Sequence, residues 1–306
     1  MLSLRFSVLV LLATTAACSA SSTTGNVFTT GTGGGDSTTS TGGEGGAGGD
    51  GTTTGEGGGT FTTGVGGGTG GGEMLVAEVW GQSPDTLYKL DPKTNAVTTI
   101  GKFQGCGSGG GVIDIALDKD STLYAVTSTG LYTVDRVTAK CTMIAPGMYP
   151  NSLSFVPAGT VDDNVEALVG YNGAQYIRID PKTGGVTPIG QLSNGFTSSG
   201  DVVSVKGKTY LTANGVSCTK GDCLLEINPK TGDVVKNWGT VGYESVFGLA
   251  FWAGKAYGFT DDGEVFEIDF TPTGITETKI TIPGNLTLKF WGAGSTTVAP
   301  PNTIPQ

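Results

Sequence analysis

A short strand-and-turn segment recurs five times in this chain, and no other feature constrains the fold as tightly. The copies are Leu87–Thr94 (LYKLDPKT), Leu131–Thr138 (LYTVDRVT), Tyr176–Thr183 (YIRIDPKT), Leu224–Thr231 (LLEINPKT) and Val265–Pro272 (VFEIDFTP). Their fifth positions are Asp91, Asp135, Asp180, Asn228 and Asp269, separated by 44, 45, 48 and 41 residues. Near-constant spacing of this size marks a repeat architecture, in which each unit buries its faces on its neighbours.

Each copy carries the chemistry of a β-hairpin. An alternating strand runs into Asp-Pro-Lys-Thr-Gly; Pro sets φ for the turn, the Asp side chain accepts backbone N–H groups, and Gly184 and Gly232 tolerate positive φ. The chain then returns as a second strand, as in Gly185–Gly190. Two further strand-like runs precede each hairpin: Val112–Leu117 with Thr122–Thr127, Asp201–Val205 with Lys208–Thr212, and Phe247–Trp252 with Lys255–Thr260. No stretch of helical length shows a helical period. Four short antiparallel strands per repeat describe a propeller blade.

The ends complete the pattern. Residues 74–101 supply only three strands, Met74–Trp80, Thr86–Asp91 and Ala96–Gly101, and Leu286–Trp291 resembles the inner strand Gly248–Trp252. The expectation is an all-β, five-bladed propeller in which the C-terminal strand closes the first blade: 74–101 with 285–297, then 112–146, 152–190, 200–239 and 246–282. Closure removes exposed sheet edges. The motif Leu-Tyr-x-Leu/Val-Asp-x-x-Thr-Gly-x-Val resembles bacterial propeller repeats of the quinoprotein-like, NHL and SMP-30-like type, which implies fold more than activity.

Ahead of the propeller lie two segments of different character. Residues 1–17 read as a signal peptide, with Arg5 before the apolar run Phe6–Ala17, which is too short to cross a bilayer as a helix. Thr15-Ala16-Ala17-Cys18 resembles the lipobox of bacterial lipoproteins. That resemblance implies that Cys18 becomes an acylated N-terminus and, with Ser19 following it, that the protein is sorted to the outer membrane. Residues 19–73 contain 23 Gly and 15 Thr and almost no apolar side chains. Such a segment cannot offset its conformational entropy by burial, and reads as a flexible tether spanning roughly 40 Å. The domain is expected to occupy 74–297, with a short tail at 298–306.

Charge and missing residue types exclude several functions. The net charge is −10, which argues against a nucleic-acid partner, since phosphate binding needs clustered Lys and Arg. The chain has no histidine, so the Ser-His-Asp triad and the commonest metal ligand are absent. The glycines at 109–111 do not make a phosphate loop, because no Lys-Ser/Thr follows. After Cys18 the cysteines are even in number, as expected in an oxidising compartment; Cys218 with Cys223 and Cys106 with Cys141 are the expected disulfides, ahead of a four-Cys metal site.

The loops between blades and the second-to-third-strand loops share one end of a propeller. They predict a candidate binding face of Tyr149, Asn151, Phe196, Tyr243 and Glu244 with Trp80, Gln82, Tyr171, Asn172, Asn214, Asp261 and Asp262. Aromatics beside amides suit a glycan or peptide; alternatively Tyr149, Phe196 and Tyr243 wedge the blades together, which is the favoured reading. Asp118-Lys-Asp120 and Asp162-Asp-Asn164 leave room for a structural Ca²⁺, but no cofactor, catalytic residue or ligated metal is assigned.

Two functions follow from this reading. The first is a monomeric, lipid-anchored binding or scaffold module of the cell envelope, with an envelope protein, peptide or glycan as partner and the membrane touched only through the anchor. The alternative is a metal-dependent lyase, lactonase or hydrolase, by fold analogy with SMP-30-like propellers; it needs carboxylates converging on the axis, where the inner strands offer chiefly Asp114 and Asp201.

Overall fold

The computed structural model describes residues 78–107, 110–282 and 288–302. The expected signal peptide, the acylated Cys18 and the tether lie outside the described residues. Twenty strands form five four-stranded antiparallel sheets. Blade 1 joins β20 (Gly292–Ser295), β1 (Val79–Gln82), β2 (Thr86–Asp91) and β3 (Ala96–Lys102). Blade 2 runs β4 (Val112–Leu117), β5 (Leu123–Thr127), β6 (Gly130–Val134) and β7 (Cys141–Pro146). Blade 3 runs β8 (Leu153–Val156), β9 (Ala167–Asn172), β10 (Gln175–Ile179) and β11 (Val186–Gln191). Blade 4 runs β12 (Thr197–Val205), β13 (Lys208–Asn214), β14 (Cys223–Ile227) and β15 (Val234–Thr240). Blade 5 runs β16 (Val246–Trp252), β17 (Lys255–Thr260), β18 (Val265–Thr271) and β19 (Gly274–Ile280).

The inner strands β20, β4, β8, β12 and β16 touch one another in that order and back to β20, so the ring is closed. This is the five-bladed propeller expected from the repeat. The core lies in the seams between blades, because successive residues of a strand point to opposite sheet faces. In β13, Tyr210 enters the seam toward blade 5 while Leu211 enters the seam toward blade 3; Leu224 and Leu225 of β14 divide the same way. The middle strands are buried on both faces and therefore read as apolar runs.

Three expectations require correction. The closing strand is Gly292–Ser295, paired with β1 in the register Trp80↔Gly294 and Gln82↔Gly292. The expected strand Leu286–Trp291 is wrong: residues 288–291 are not in a strand. The aromatic pair Phe290-Trp291 suggested that alignment, but the strand that pairs with β1 is Gly-Ala-Gly-Ser, whose glycines lie against blade 2: a Cβ on Gly292 would meet Asp114 and one on Gly294 would meet Leu117 and Ile115. Second, Trp80 and Gln82 were expected in a loop but lie in β1, both buried. Third, Asp269 is not a turn residue. In blades 1 to 4 the repeated Asp or Asn caps the turn: Asp91 Oδ1 accepts Lys93 N–H, Asp135 Oδ1 accepts Val137 and Thr138 N–H, Asp180 Oδ1 accepts Lys182 and Thr183 N–H, and Asn228 Oδ1 accepts Lys230 N–H. In blade 5 the hairpin runs two residues further and Asp269 stays in the strand opposite Thr276, paired with Lys255.

Both expected disulfides are present. Cys106–Cys141, with Cα atoms 5.1 Å apart, ties the blade 1–2 connection to β7, and Cys218–Cys223, 5.3 Å apart, closes the loop between β13 and β14.

Candidate functional site

The inner edge of each innermost strand has no neighbour within its own sheet, so N–H groups pointing at the axis need another acceptor. Two side chains supply it for all five blades. Asp114 on β4 accepts Ile115 N–H through Oδ1 and Leu153 N–H of blade 3 through Oδ2, both at 2.8 Å. Asp201 on β12 accepts Val202 N–H through Oδ1 at 2.6 Å, and through Oδ2 accepts Leu249 N–H of blade 5 at 2.8 Å and Ala293 N–H of blade 1 at 3.3 Å. One amide from each inner strand thus ends on a carboxyl oxygen. The five residues preceding those amides are Asp114, Ser152, Asp201, Gly248 and Gly292. Two are aspartates and the other three are small; a Cβ on Gly292 would meet Asp114, and one on Gly248 would meet Ala293 of the closing strand.

Both carboxyl groups are fully buried, 0% exposed, and they approach the same point of the closing strand: Ala293 N–H donates to Asp201, and a Cβ on the preceding Gly292 would run into Asp114 Oδ1. Burial, then the neighbouring Asp201 charge, holds the Asp114 carboxyl well above the usual carboxylate range. No Lys or Arg is paired with either. The crowding is testable at Gly292, where an added Cβ would lie 2.1 Å from Asp114 Oδ1 and 3.0 Å from its Cγ. The carboxyl is pinned by two amides and cannot move aside. Gly292→Ala is expected to destabilise the protein by about 3 kcal/mol, read as a lower urea midpoint, whereas an unchanged midpoint would mean the axis has slack.

The predicted face divides into buried and exposed members. Tyr149 donates to Gly184 O at 3.0 Å, Tyr171 donates to Gly232 O at 2.8 Å, Phe196 lies in the blade 3–4 seam, and Tyr243 stacks on Phe266 with ring centroids 3.9 Å apart. These rings join blades, as the favoured reading had it, and Tyr171 does the same. Asn151, Asn172, Asn214, Glu244 and Asp262 are exposed. Asp261 is half-buried and accepts Trp291 Nε1–H at 2.9 Å. A recess of about 420 Å³ brings Asn214 and Glu244 together with the buried Asp222 and the Cys218–Cys223 loop. Burial raises the Asp222 carboxyl above its usual range, and its Oδ2 accepts Val246 N–H at 3.1 Å. Of the aspartates named for a structural Ca²⁺, Asp118 Oδ1 accepts the N–H groups of Asp120 and Thr122, and Asp162 accepts those of Asn164 and Val165 and pairs with Arg178.

Charge is segregated around this face, a feature that residue-by-residue sequence reading missed. Over blades 2 and 3 the connections at the interblade end are 103–107 with 110–111, 128–129, 147–152, 173–174 and 192–196, and none contains Asp, Glu, Lys or Arg. The remaining connections of the same two blades, 118–122, 135–140, 157–166 and 180–185, contain eleven. The exposed groups of the neutral sector are mainly amides: Gln104, Asn151, Asn172, Gln175, Gln191 and Asn194. Only the Asn194 amide makes an internal hydrogen bond among the described residues, to Ser193 Oγ at 3.1 Å. Met148, 85% exposed, sits among them. Charge reaches this end from the outer rim, where Asp233 accepts Ser193 N–H.

No protein-family model matches the chain, and no curated protein matches it in sequence. Similar solved structures include the hydrazine synthase of Kuenenia stuttgartiensis, with 13% identity and a TM-score of 0.37 over 67% of this chain and 62% of that one. A chain of a nidogen/laminin complex gives 9% identity and a TM-score of 0.44 over 71% and 97%. A Bacteroides caccae protein of unknown function gives 12% and 0.40 over 70% and 76%. This chain therefore spans less than two thirds of the hydrazine synthase chain. Likenesses at these levels transfer no residue, ligand or activity, so the assignment to five-bladed propellers rests on the ring of sheets itself.

Proposed function

We propose that this protein is a lipid-anchored binding module of the cell envelope whose interblade face takes an uncharged, hydroxyl-rich ligand of the neutral-glycan class. The observation that carries this reading is the charge-free sector over blades 2 and 3, with its exposed side-chain amides, of which only Asn194 makes an internal hydrogen bond among the described residues. Such amides donate and accept at once, which suits sugar hydroxyls, while an ionic partner would find no counter-charge there. The two disulfides accord with export to an oxidising compartment, and the lipobox-like Cys18 supplies the anchor. The chain enters the propeller at Glu78, beside the end of β20, at the end that carries the β4–β5 and β8–β9 connections.

The enzyme alternative is not carried forward. Asp114 and Asp201 do converge at the axis, but both are sealed from solvent and fully engaged by backbone amides.

Affinity electrophoresis through gels containing neutral or anionic polysaccharides tests the proposal. Retardation by at least one neutral polymer, insensitive to salt because no ion pair is formed, is expected. The triple variant N151A/N172A/N194A is expected to weaken it about tenfold or more, from about 1 kcal/mol per lost hydrogen bond. Retardation only by anionic polymers and abolished by salt, or none by any neutral one, would overturn the reading.

A further inference from the structure

We propose that Asp114 and Asp201 hold one proton between them, and that this proton latches the propeller ring, which loosens when the proton is lost at alkaline pH.

The hydrogen-bond count leads to this directly. Five inner-strand amides occupy the carboxyl oxygens, and the two carboxyl groups converge at Gly292-Ala293 in one sealed space. Two ionised carboxylates are both acceptors and repel each other there; one proton lets one carboxyl donate to the other. Asp114, with two amides, keeps the proton. Asp201, with three, carries the charge, which the convergent N–H dipoles stabilise. A second charge in the same sealed space would face a like charge with no cation beside it.

Among the described residues no other titratable side chain accepts from the axial amides; the buried Asp222 carboxyl accepts Val246 N–H, at the start of β16. β4 and β12 carry none besides the pair, and β1, β8, β16 and β20 carry none at all. On the remaining packed strands Tyr124 lies against Phe155, Lys208 pairs with Glu226, Tyr210 stacks on Phe270, and Tyr171 bonds to Gly232 O. The proton has consequences for the whole ring because Asp114 and Asp201 each bond to blades other than their own, including blade 1 through the closing strand.

The sign follows. Asp114 is raised in the fold, so its contribution is fully present below the unfolded value and is lost as pH rises through the folded one. The turn residues Asp91, Asp135 and Asp180, lowered chiefly by backbone N–H groups, act oppositely: their contribution is lost on acidification. They provide an internal reference on the acid side.

Two measurements test the latch in the full chain. In the infrared, the folded wild type at neutral pH is expected to show the carbonyl stretch of a protonated carboxylic acid, absent from Asp114→Asn. In urea, the wild-type midpoint is expected to fall as pH rises above neutral, while D114N starts lower and shows a flatter alkaline limb and an unchanged acid limb. Parallel alkaline limbs overturn the proposal. If D114N does not fold, the wild-type spectrum decides alone: no protonated carboxyl in the folded protein at neutral pH overturns it, and a band that disappears together with near-UV ellipticity on alkalinisation supports it.

Discussion

Asp201→Ala is expected to cost about 4 kcal/mol or more, a large share of the ~5–15 kcal/mol that holds a typical protein folded. The substitution strips acceptors from Val202, Leu249 and Ala293 N–H at once. Each buried unsatisfied amide costs ~1–3 kcal/mol, and water entering the vacated space recovers part of the sum. It also removes the carboxyl group that neighbours Asp114 at the axis. Asp114→Ala orphans only two amides, so its cost is expected to be smaller. Urea unfolding followed by tryptophan fluorescence checks both the size and the order. A cost for Asp201→Ala under about 1 kcal/mol, the net worth of a single hydrogen bond, or a larger loss for Asp114→Ala, would show that the axial amides do not depend on these carboxyls. A second readout separates lost hydrogen bonding from lost packing. Formate presents the same two oxygens to the emptied ring, and a ligand that binds only the folded state raises its stability. Formate is therefore expected to raise the Tm of the Asp201→Ala protein and leave the wild type unchanged.

Ending the chain after Trp291 is expected to abolish the folded monomer altogether. The missing residues include β20, which pairs with β1 from Val79 to Gln82 and delivers Ala293 N–H to Asp201. It also supplies Ser295 Oγ as acceptor for Phe251 N–H at 2.9 Å. Without it β1 becomes an open edge, and the seam between blades 5 and 1 loses one wall. An exposed edge strand recruits other chains, so aggregation or a swapped oligomer is expected in size-exclusion chromatography, with near-UV circular dichroism lost. A synthetic peptide covering Leu288–Asn302 should restore the monomer by occupying the same slot. A truncated chain that stays monomeric with the wild-type Tm would show that closure contributes little.

The residues that made the fold legible and those that hid the site differ in kind. The hairpins were legible because three of the five carry Asp or Asn followed by Pro-Lys-Thr, and a fourth Asp-Arg-Val-Thr, turn chemistry that acts within a few residues. Strand boundaries such as Val112–Leu117 and Lys255–Thr260 followed from apolar runs between turn signals and agree with β4 and β17. Where an element's position depends on distant neighbours, the local pattern misled. Phe290-Trp291 looked like an inner strand by analogy with Phe251-Trp252, yet the segment that pairs with β1 and packs its glycines on blade 2 is Gly292–Ser295. Trp80 and Gln82 looked like loop residues because they precede Ser83-Pro84, yet β1 extends to Gln82.

By itself the sequence determined the repeat unit, the count of blades, the closure by the C-terminal segment and both disulfide pairs. All of these depend on short-range turn chemistry, two-residue periodicity or simple spacing. Only the tertiary structure decided that Asp114 and Asp201, 87 residues apart, would meet, that together they would take one amide from every blade, and that the uncharged connections of blades 2 and 3 would form one surface. Those outcomes arise because circular closure brings equivalent positions of separate repeats within hydrogen-bond reach, a condition that no local stretch of residues can encode.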